Sequence, residues 1–421
     1  MKPATQPDAR APVLRQDSHR WKILGIGVLA NASFSAAFAG IPVTAIFMRA
    51  DYRLDNTQLG LALGSLGLGV AVSELPWGVL TDRWGDRRVL LCGLISTALA
   101  LAVMAACVAP GAAGIPSLWL LALGLLTVGL LGGSVNGSSG RAVMGWFREG
   151  ERGLAMSIRQ TAVPVGGGVG ALVLPSLAAA HGFAPVYGLL ALFCLLSAGM
   201  AWLWLHEPPA APSSVIAAPP DRSALGNIEV WRVAMAIGIL CFPQVSVLTF
   251  ATIFLHDVGR AGLGLISATM AAIQIGAAVM RVWSGRWTDR HGNRRRYLRA
   301  CSALSVVLYI ALGTAAALAP AVWPQWTLAA IALLLVAGGV CASAWHGVAY
   351  TELATLAGPR QVGTALGLGN TCVFLVFFLA AQAVPALLAW QSWPSVWLAG
   401  AAGALIAWPI FLKPLHRNRA G

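Results

Sequence analysis

A chain of 421 residues that is 58% hydrophobic and only 10% charged stands far from the roughly 25% charged share of a soluble domain. That composition excludes a soluble globular protein. It also makes the net charge of +13 a sign of membrane topology rather than of a nucleic-acid partner.

Residues 1–21 are polar and broken by Pro3, Pro7 and Pro12. With no apolar core followed by a cleavage site, they read as a tail and not as a removable signal peptide. Apolar stretches near the roughly 20 residues that cross a bilayer then follow at 22–48, 58–81, 88–109, 115–146, 151–180 and 184–205. Residues 206–228, rich in Pro and Ala, read as a flexible linker. Six further stretches occupy 229–255, 262–286, 296–319, 324–352, 360–388 and 393–413, and 414–421 is a short tail. The pattern predicts an all-α membrane protein of twelve transmembrane helices in two six-helix halves.

Of the 28 Lys and Arg residues, only Arg49, Arg53 and Arg260 fall on the face opposite the chain's start, while Arg141, Arg159 and Arg281 lie inside spans. The positive-inside rule therefore places both termini in the cytoplasm, with the protein multi-pass in a bacterial-type inner membrane. The seven cysteines, Cys92, Cys107, Cys194, Cys241, Cys301, Cys341 and Cys372, sit singly in apolar context. They read as small buried hydrophobes, with no metal, disulfide or cofactor implied.

The two halves repeat. GVLTDRWGDRR begins at Gly78, and GRWTDRHGNRR begins at Gly285, 207 residues later. GLAMSIRQT, from Gly153 to Thr161, is echoed by GTALGLGNT, from Gly363 to Thr371, 210 residues later. Two echoes at nearly equal offsets argue for internal duplication, a common construction among transporters.

These residues resemble the major facilitator superfamily of secondary transporters over essentially the whole chain. Gly78, Leu80, Asp82, Arg83, Gly85, Arg87 and Arg88 complete its G-x-L-x-D-R-x-G-x-R-R loop, and Gly285, Asp289, Arg290, Gly292, Arg294 and Arg295 repeat it, with Trp287 at the usual aliphatic position. The resemblance implies that these charges latch the outward-facing state, with Asp82 and Asp289 taking charge-assisted hydrogen bonds from arginines or helix N-termini. The alternative is that they are solvated topology determinants. Trp146 to Gly167 looks like the fourth-to-fifth helix region of the anion:cation, cyanate-permease and nitrate-porter branches. The Pro164-Val165-Gly166-Gly167 order departs from the G-P-x-x-G-G of drug antiporters. Small residues there let helices approach and bend.

Ionisable groups deep in a span are functional candidates because lipid exposure is costly. Glu74 precedes Asp82, and Arg281 precedes Asp289, by eight residues. At 1.5 Å per residue each lies about 12 Å into its helix, near the midplane of a core about 30 Å thick. Nitrate porters, by the resemblance, carry arginine at both positions; here Glu74 replaces one. The preferred reading has Arg281 holding an anionic group and Glu74 carrying a coupling proton, against a static Glu74–Arg281 ion pair. Gln160 and Asn370 correspond through the second echo and read as a polar pair facing the cavity. Arg159 either adds a second deep positive charge or snorkels to the interface. Arg141 is expected to snorkel or to pair with Glu149. His346 is a second candidate proton carrier, or else a hydrogen-bonded core residue. Gln244, Gln274 and Gln382 are weaker cavity candidates, and Trp77, Trp283 and Trp345 could stack on substrate or anchor the protein.

No enzyme motif accompanies these groups, and duplicated gate loops argue against a channel or a receptor. The expectation is a monomeric transporter in the lipid bilayer, moving a small organic anion inward with protons by alternating access. The alternative is proton-driven efflux of a drug-like compound or metabolite.

Overall fold

The computed structural model describes residues 11–111, 114–206, 223–257, 261–318 and 325–412. Most of the expected linker, both chain ends and Arg260 lie outside these described residues. Twelve transmembrane helices account for nearly all of the rest. They are α1 (Ser18–Val43), α2 (Thr57–Trp84), α3 (Asp86–Val108), α4 (Leu118–Trp146), α5 (Arg152–His181), α6 (Phe183–Trp204), α7 (Ile228–Asp257), α8 (Gly264–His291), α9 (Arg294–Leu318), α10 (Thr327–Ala357), α11 (Val362–Trp390) and α12 (Trp393–Ile410). The first helix begins at Ala11, inside the expected polar tail. The expected first span also ends early: α1 stops at Val43 and a separate short helix covers Ala45–Asp51.

Local chemistry sets several ends. Asp55 caps α2 by accepting from Gln58 N at 2.8 Å, while the Gln58 side chain accepts from Asp55 N at 3.0 Å, a reciprocal capping box. The turns after α2 and α8 pass through Gly85 (φ 87) and Gly292 (φ 63), left-handed conformations that glycine adopts without a Cβ penalty. Three helices are interrupted near their middles: α4 at Gly133, α5 at Thr161 and α10 at Trp345. Such breaks free backbone polar groups where they can serve a cavity.

One apolar cluster, from Ile23 to Leu205, lies within α1–α6, and another, from Val247 to Ala401, within α7–α12. A third joins the halves. It packs Val143, Met144, Ala155 and Met156 of α4 and α5 against Val348, Leu353, Leu366 and their neighbours in α10 and α11. That junction sits at the end of the bundle carrying the two arginine-rich loops, here called the basic end. Cys194, Cys241, Cys301 and Cys341 are buried, but Cys92 and Cys107 are exposed. This corrects the expectation that all seven are core residues, because an apolar side chain on a membrane helix need not face the bundle.

Candidate functional site

At the basic end each loop aspartate reaches into the opposite half. Asp82 of α2 accepts from the backbone N–H groups of Gly363 (2.8 Å) and Thr364 (2.6 Å) at the start of α11, and from the Thr364 hydroxyl at 2.7 Å. Asp289 of α8 accepts from Gly153 N (3.0 Å) and Leu154 N (2.8 Å) at the start of α5. The first turn of a helix offers unpaired N–H groups and a partial positive charge, so each carboxylate finds a ready anion site. Arg141 flanks Asp82 at 3.3 Å, and Arg294 flanks Asp289 at 3.6 Å while pairing with Glu149 at 2.8 Å. Glycine permits the approach. A Cβ on Gly78 would run into the Gly363 carbonyl, and one on Gly285 into the Gly153 carbonyl.

Deeper in the bundle, Glu74 of α2 is fully buried. Its carboxylate accepts from Asn136 Nδ2 of α4 at 2.5 Å and from Asn370 Nδ2 of α11 at 3.2 Å. The Tyr350 hydroxyl of α10 donates to Asn370 Oδ1 at 2.5 Å, which turns the amide so that its nitrogen faces Glu74. Arg159 of α5, 2% exposed, does not snorkel. It donates to Ser139 Oγ through Nε (3.1 Å) and Nη2 (2.7 Å), and to the Asn136 carbonyl at 2.8 Å.

Arg281 of α8 donates through Nε to the Ser343 carbonyl and through Nη1 to the Gln160 carbonyl, both at 2.8 Å. Pro164 accounts for the second acceptor. It has no N–H with which to close the helical bond to residue 160, so that carbonyl is left for the guanidinium. Among the described residues neither Arg159 nor Arg281 has a carboxylate within ion-pairing distance. Tyr350 lies close enough to interact electrostatically with both, and Glu74 with Arg159.

The arrangement is a buried, positively charged centre between two halves that are tied together at one end. The sequence model of the Major Facilitator Superfamily matches residues 26–317. The chain belongs to the Major Facilitator Superfamily. It is 31% identical over 405 residues to an uncharacterised MFS-type transporter of Mycobacterium tuberculosis, covering 93% of this chain and 84% of that protein. It is 23% identical over 171 residues to a hexuronate transporter of Bacillus subtilis, covering 41% and 39% of the two chains. Among solved structures, the proton:xylose symporter XylE bound to 6-bromo-6-deoxy-D-glucose shares the fold, with a TM-score of 0.72 at 15% identity over 94% of this chain and 95% of that one.

Within this superfamily fold, the expected loop residues divide. Gly78, Asp82, Gly85, Gly285, Asp289, Gly292 and Arg294 build the junction. Arg83, Arg88 and Arg290 are exposed and hold neither aspartate, while Arg87 turns to the Trp202 carbonyl at 2.9 Å. Arg141 does the work expected of them beside Asp82, and not with Glu149, because its depth on α4 brings it level with the loop. The alternative of a static Glu74–Arg281 ion pair is not found among the described residues: Glu74 bonds to Asn136 and Asn370, and Arg281 to the Ser343 and Gln160 carbonyls. Gln160 and Asn370 do not pair with each other; Gln160 gives its carbonyl and Asn370 its amide. Gln274 and Gln382 are exposed. Trp77 ties α2 to α4 through the Leu130 carbonyl at 2.7 Å.

Several site residues escaped the sequence reading. Asn136, Ser139 and Ser343 sit beside the helix breaks and look like small packing residues in sequence, and Tyr350 looks interfacial. Asn31 of α1 is fully buried with neither amide atom bonded among the described residues. It lies one turn from Gly27, where a Cβ would stand 3.9 Å from Arg159 Cδ.

Proposed function

We propose that the protein takes up a small organic anion together with protons, by alternating access, in a bacterial-type inner membrane with both termini cytoplasmic. One observation carries this reading. The centre holds two buried arginines against one deep carboxylate: Glu74 interacts electrostatically with Arg159 but is hydrogen-bonded by two amides, and Arg281 has no carboxylate counterion among the described residues. A buried charge without a partner is costly, and an anionic ligand supplies the partner. Because the hydrogen bonds to Glu74 among the described residues come from neutral amides, it can load and release a proton without breaking a direct ion pair. Each proton loaded raises the positive charge of the centre and strengthens anion binding, which is the linkage a symporter requires. The similarity to a hexuronate transporter is in keeping with an anionic substrate.

The basic end is then cytoplasmic and closed, with Asp82 and Asp289 as the latch. The two six-helix bundles, 22–205 and 229–413, joined by a linker over 206–228, rock about the centre.

The test begins with a thermal-shift screen of the purified monomer against small organic anions, cations and neutral compounds, beside Arg281→Gln. Ligands that bind the folded state raise its apparent stability. Anions alone should stabilise the wild type, with the effect lost in Arg281→Gln, and an inward proton gradient should drive their accumulation in proteoliposomes. Stabilisation by cations or neutral lipophiles that ignores Arg281 would overturn the reading in favour of efflux.

A further inference from the structure

The Ser343 carbonyl, at the break in α10, holds two groups. It accepts from Arg281 Nε at 2.8 Å, and His346 Nδ1 lies 3.1 Å from it. A carbonyl oxygen accepts and never donates, so the proton of the neutral imidazole sits on Nδ1 and the lone pair on Nε2. Neither His346 Nε2 nor Arg281 Nη2 has a hydrogen-bond partner among the described residues, and neither is a sealed, unsatisfied atom. The imidazole is fixed from the other side by the fully buried Trp345, stacked on it with ring centroids 3.9 Å apart and planes 18° apart. One acceptor and one cationic donor are therefore held side by side on a single carbonyl, each with a free edge.

We propose that His346 is a specificity residue that accepts a hydrogen bond from a hydroxyl of the substrate, while Arg281 holds the neighbouring carboxylate, so that the site selects hydroxy acids over plain carboxylates. The proposal rests on the anion reading above and deepens it. It replaces the proton-carrying role expected of His346 with an accepting one, and leaves the proton to Glu74. The duplication supports the assignment. His346 stands 210 residues after Asn136, and each lies in the first turn after the break in its helix, Asn136 as the third residue after Gly133 and His346 as the first after Trp345. Asn136 serves Glu74, the repeat partner of Arg281. His346 serves the ligand that Arg281 holds. A site built to bond a hydroxyl rejects the analogue lacking it, because the buried acceptor is left unpaired.

The experiment measures dissociation constants on the full chain in detergent for two matched pairs, lactate against propionate and malate against succinate. The wild type should bind the hydroxylated member roughly five- to tenfold more tightly, the size of one neutral hydrogen bond. His346→Phe, which keeps a ring against Trp345, should bring both members of each pair to the weaker value, and His346→Gln, which restores an acceptor, should recover part of the preference. Ligand-free melting temperatures show whether each variant is folded, and the wild-type comparison stands without either. Equal affinities within each pair in the wild type, or a preference surviving in His346→Phe, overturn the proposal. If both members bind equally and Arg281→Gln abolishes both, the anion reading survives and only the hydroxyl assignment falls. If no carboxylate binds while cations do, both fall.

Discussion

Glu74 and Asn370 meet across the two halves at 3.2 Å, and the duplicated sequence gives this contact a counterpart. Arg281 stands where Glu74 stands in the repeat, Gln160 where Asn370 stands, and Arg281 donates to the Gln160 carbonyl at 2.8 Å. Each half thus anchors a deep charged residue on the matching position of the other, one bond made by an acid and one by a base. A carboxyl group exchanges its proton where a guanidinium does not, so on the proposed reading the symmetric scaffold carries an asymmetric switch.

Glu74→Gln tests that switch. Glutamine keeps the volume and its carbonyl still accepts from one of the two amides, as a protonated carboxyl would, so the fold and anion binding are expected to survive. Uptake driven by an inward proton gradient should fall to the rate seen without a gradient, while exchange of labelled for unlabelled anion at equal pH persists. Proteoliposome flux with and without the gradient checks this. Gradient-driven accumulation in Glu74→Gln would remove Glu74 from the coupling step.

Asp82 and Asp289 each satisfy two N–H groups at the start of a helix in the opposite half. A charge-assisted hydrogen bond contributes about 1.5–3 kcal/mol, so Asp82→Asn or Asp289→Asn should weaken the closed basic end about tenfold or more. Hydrogen–deuterium exchange reads the effect locally. Asp82→Asn should speed exchange at residues 363–366, and Asp289→Asn at residues 153–156. Faster exchange everywhere, or at neither place, would mean that these carboxylates do not tie the halves together.

The twelve spans were legible because every helix carries an apolar run of bilayer length, and Asp82 and Asp289 because the loop recurs at a fixed offset. Glu74, Arg159 and Arg281 stood out as charges in apolar surroundings, where only burial with partners makes sense. Partner identity was not legible. Arg281 bonds to two carbonyls, Ser343 and Gln160, and carbonyls have no signature in a sequence. Asn136 and Ser139 sit in a run of small residues, and only the break at Gly133 turns that run toward Glu74 and Arg159. The exposed Arg83 and Arg88 show the opposite limit: they fit the motif, yet the ion pair with Asp82 falls to Arg141, 59 residues further along the chain.

Gly78 and Gly285 lie where the halves come closest. Gly78→Ala would set its Cβ against the Gly363 carbonyl and hold α2 away from α11. The clash exists only while the basic end is closed, so the fold itself should remain intact. Transport is expected to fall at least about tenfold, the effect of roughly 1.4 kcal/mol on the closed state, with exchange at 363–366 raised as in Asp82→Asn. A large drop in ligand-free melting temperature would show instead that Gly78 is needed for folding rather than closure.

Pro164 offers the narrowest test, because its effect on Arg281 comes through a single missing proton. Pro164→Ala restores an N–H at 164, which then competes with Arg281 Nη1 for the Gln160 carbonyl. Removing proline from within a helix also favours its continuity, by up to about 3 kcal/mol when the bond can form, so α5 should stiffen across Thr161. A carbonyl has two lone pairs and can serve both donors, so Arg281 is loosened rather than released. The expected result is a higher melting temperature together with a loss of anion affinity of about two- to fivefold, within the range of one neutral hydrogen bond. Arg281→Gln should make affinity indifferent to the Pro164 change, which a double-mutant cycle measures directly. Additive losses in the double variant would mean that proline shapes α5 without acting through the guanidinium.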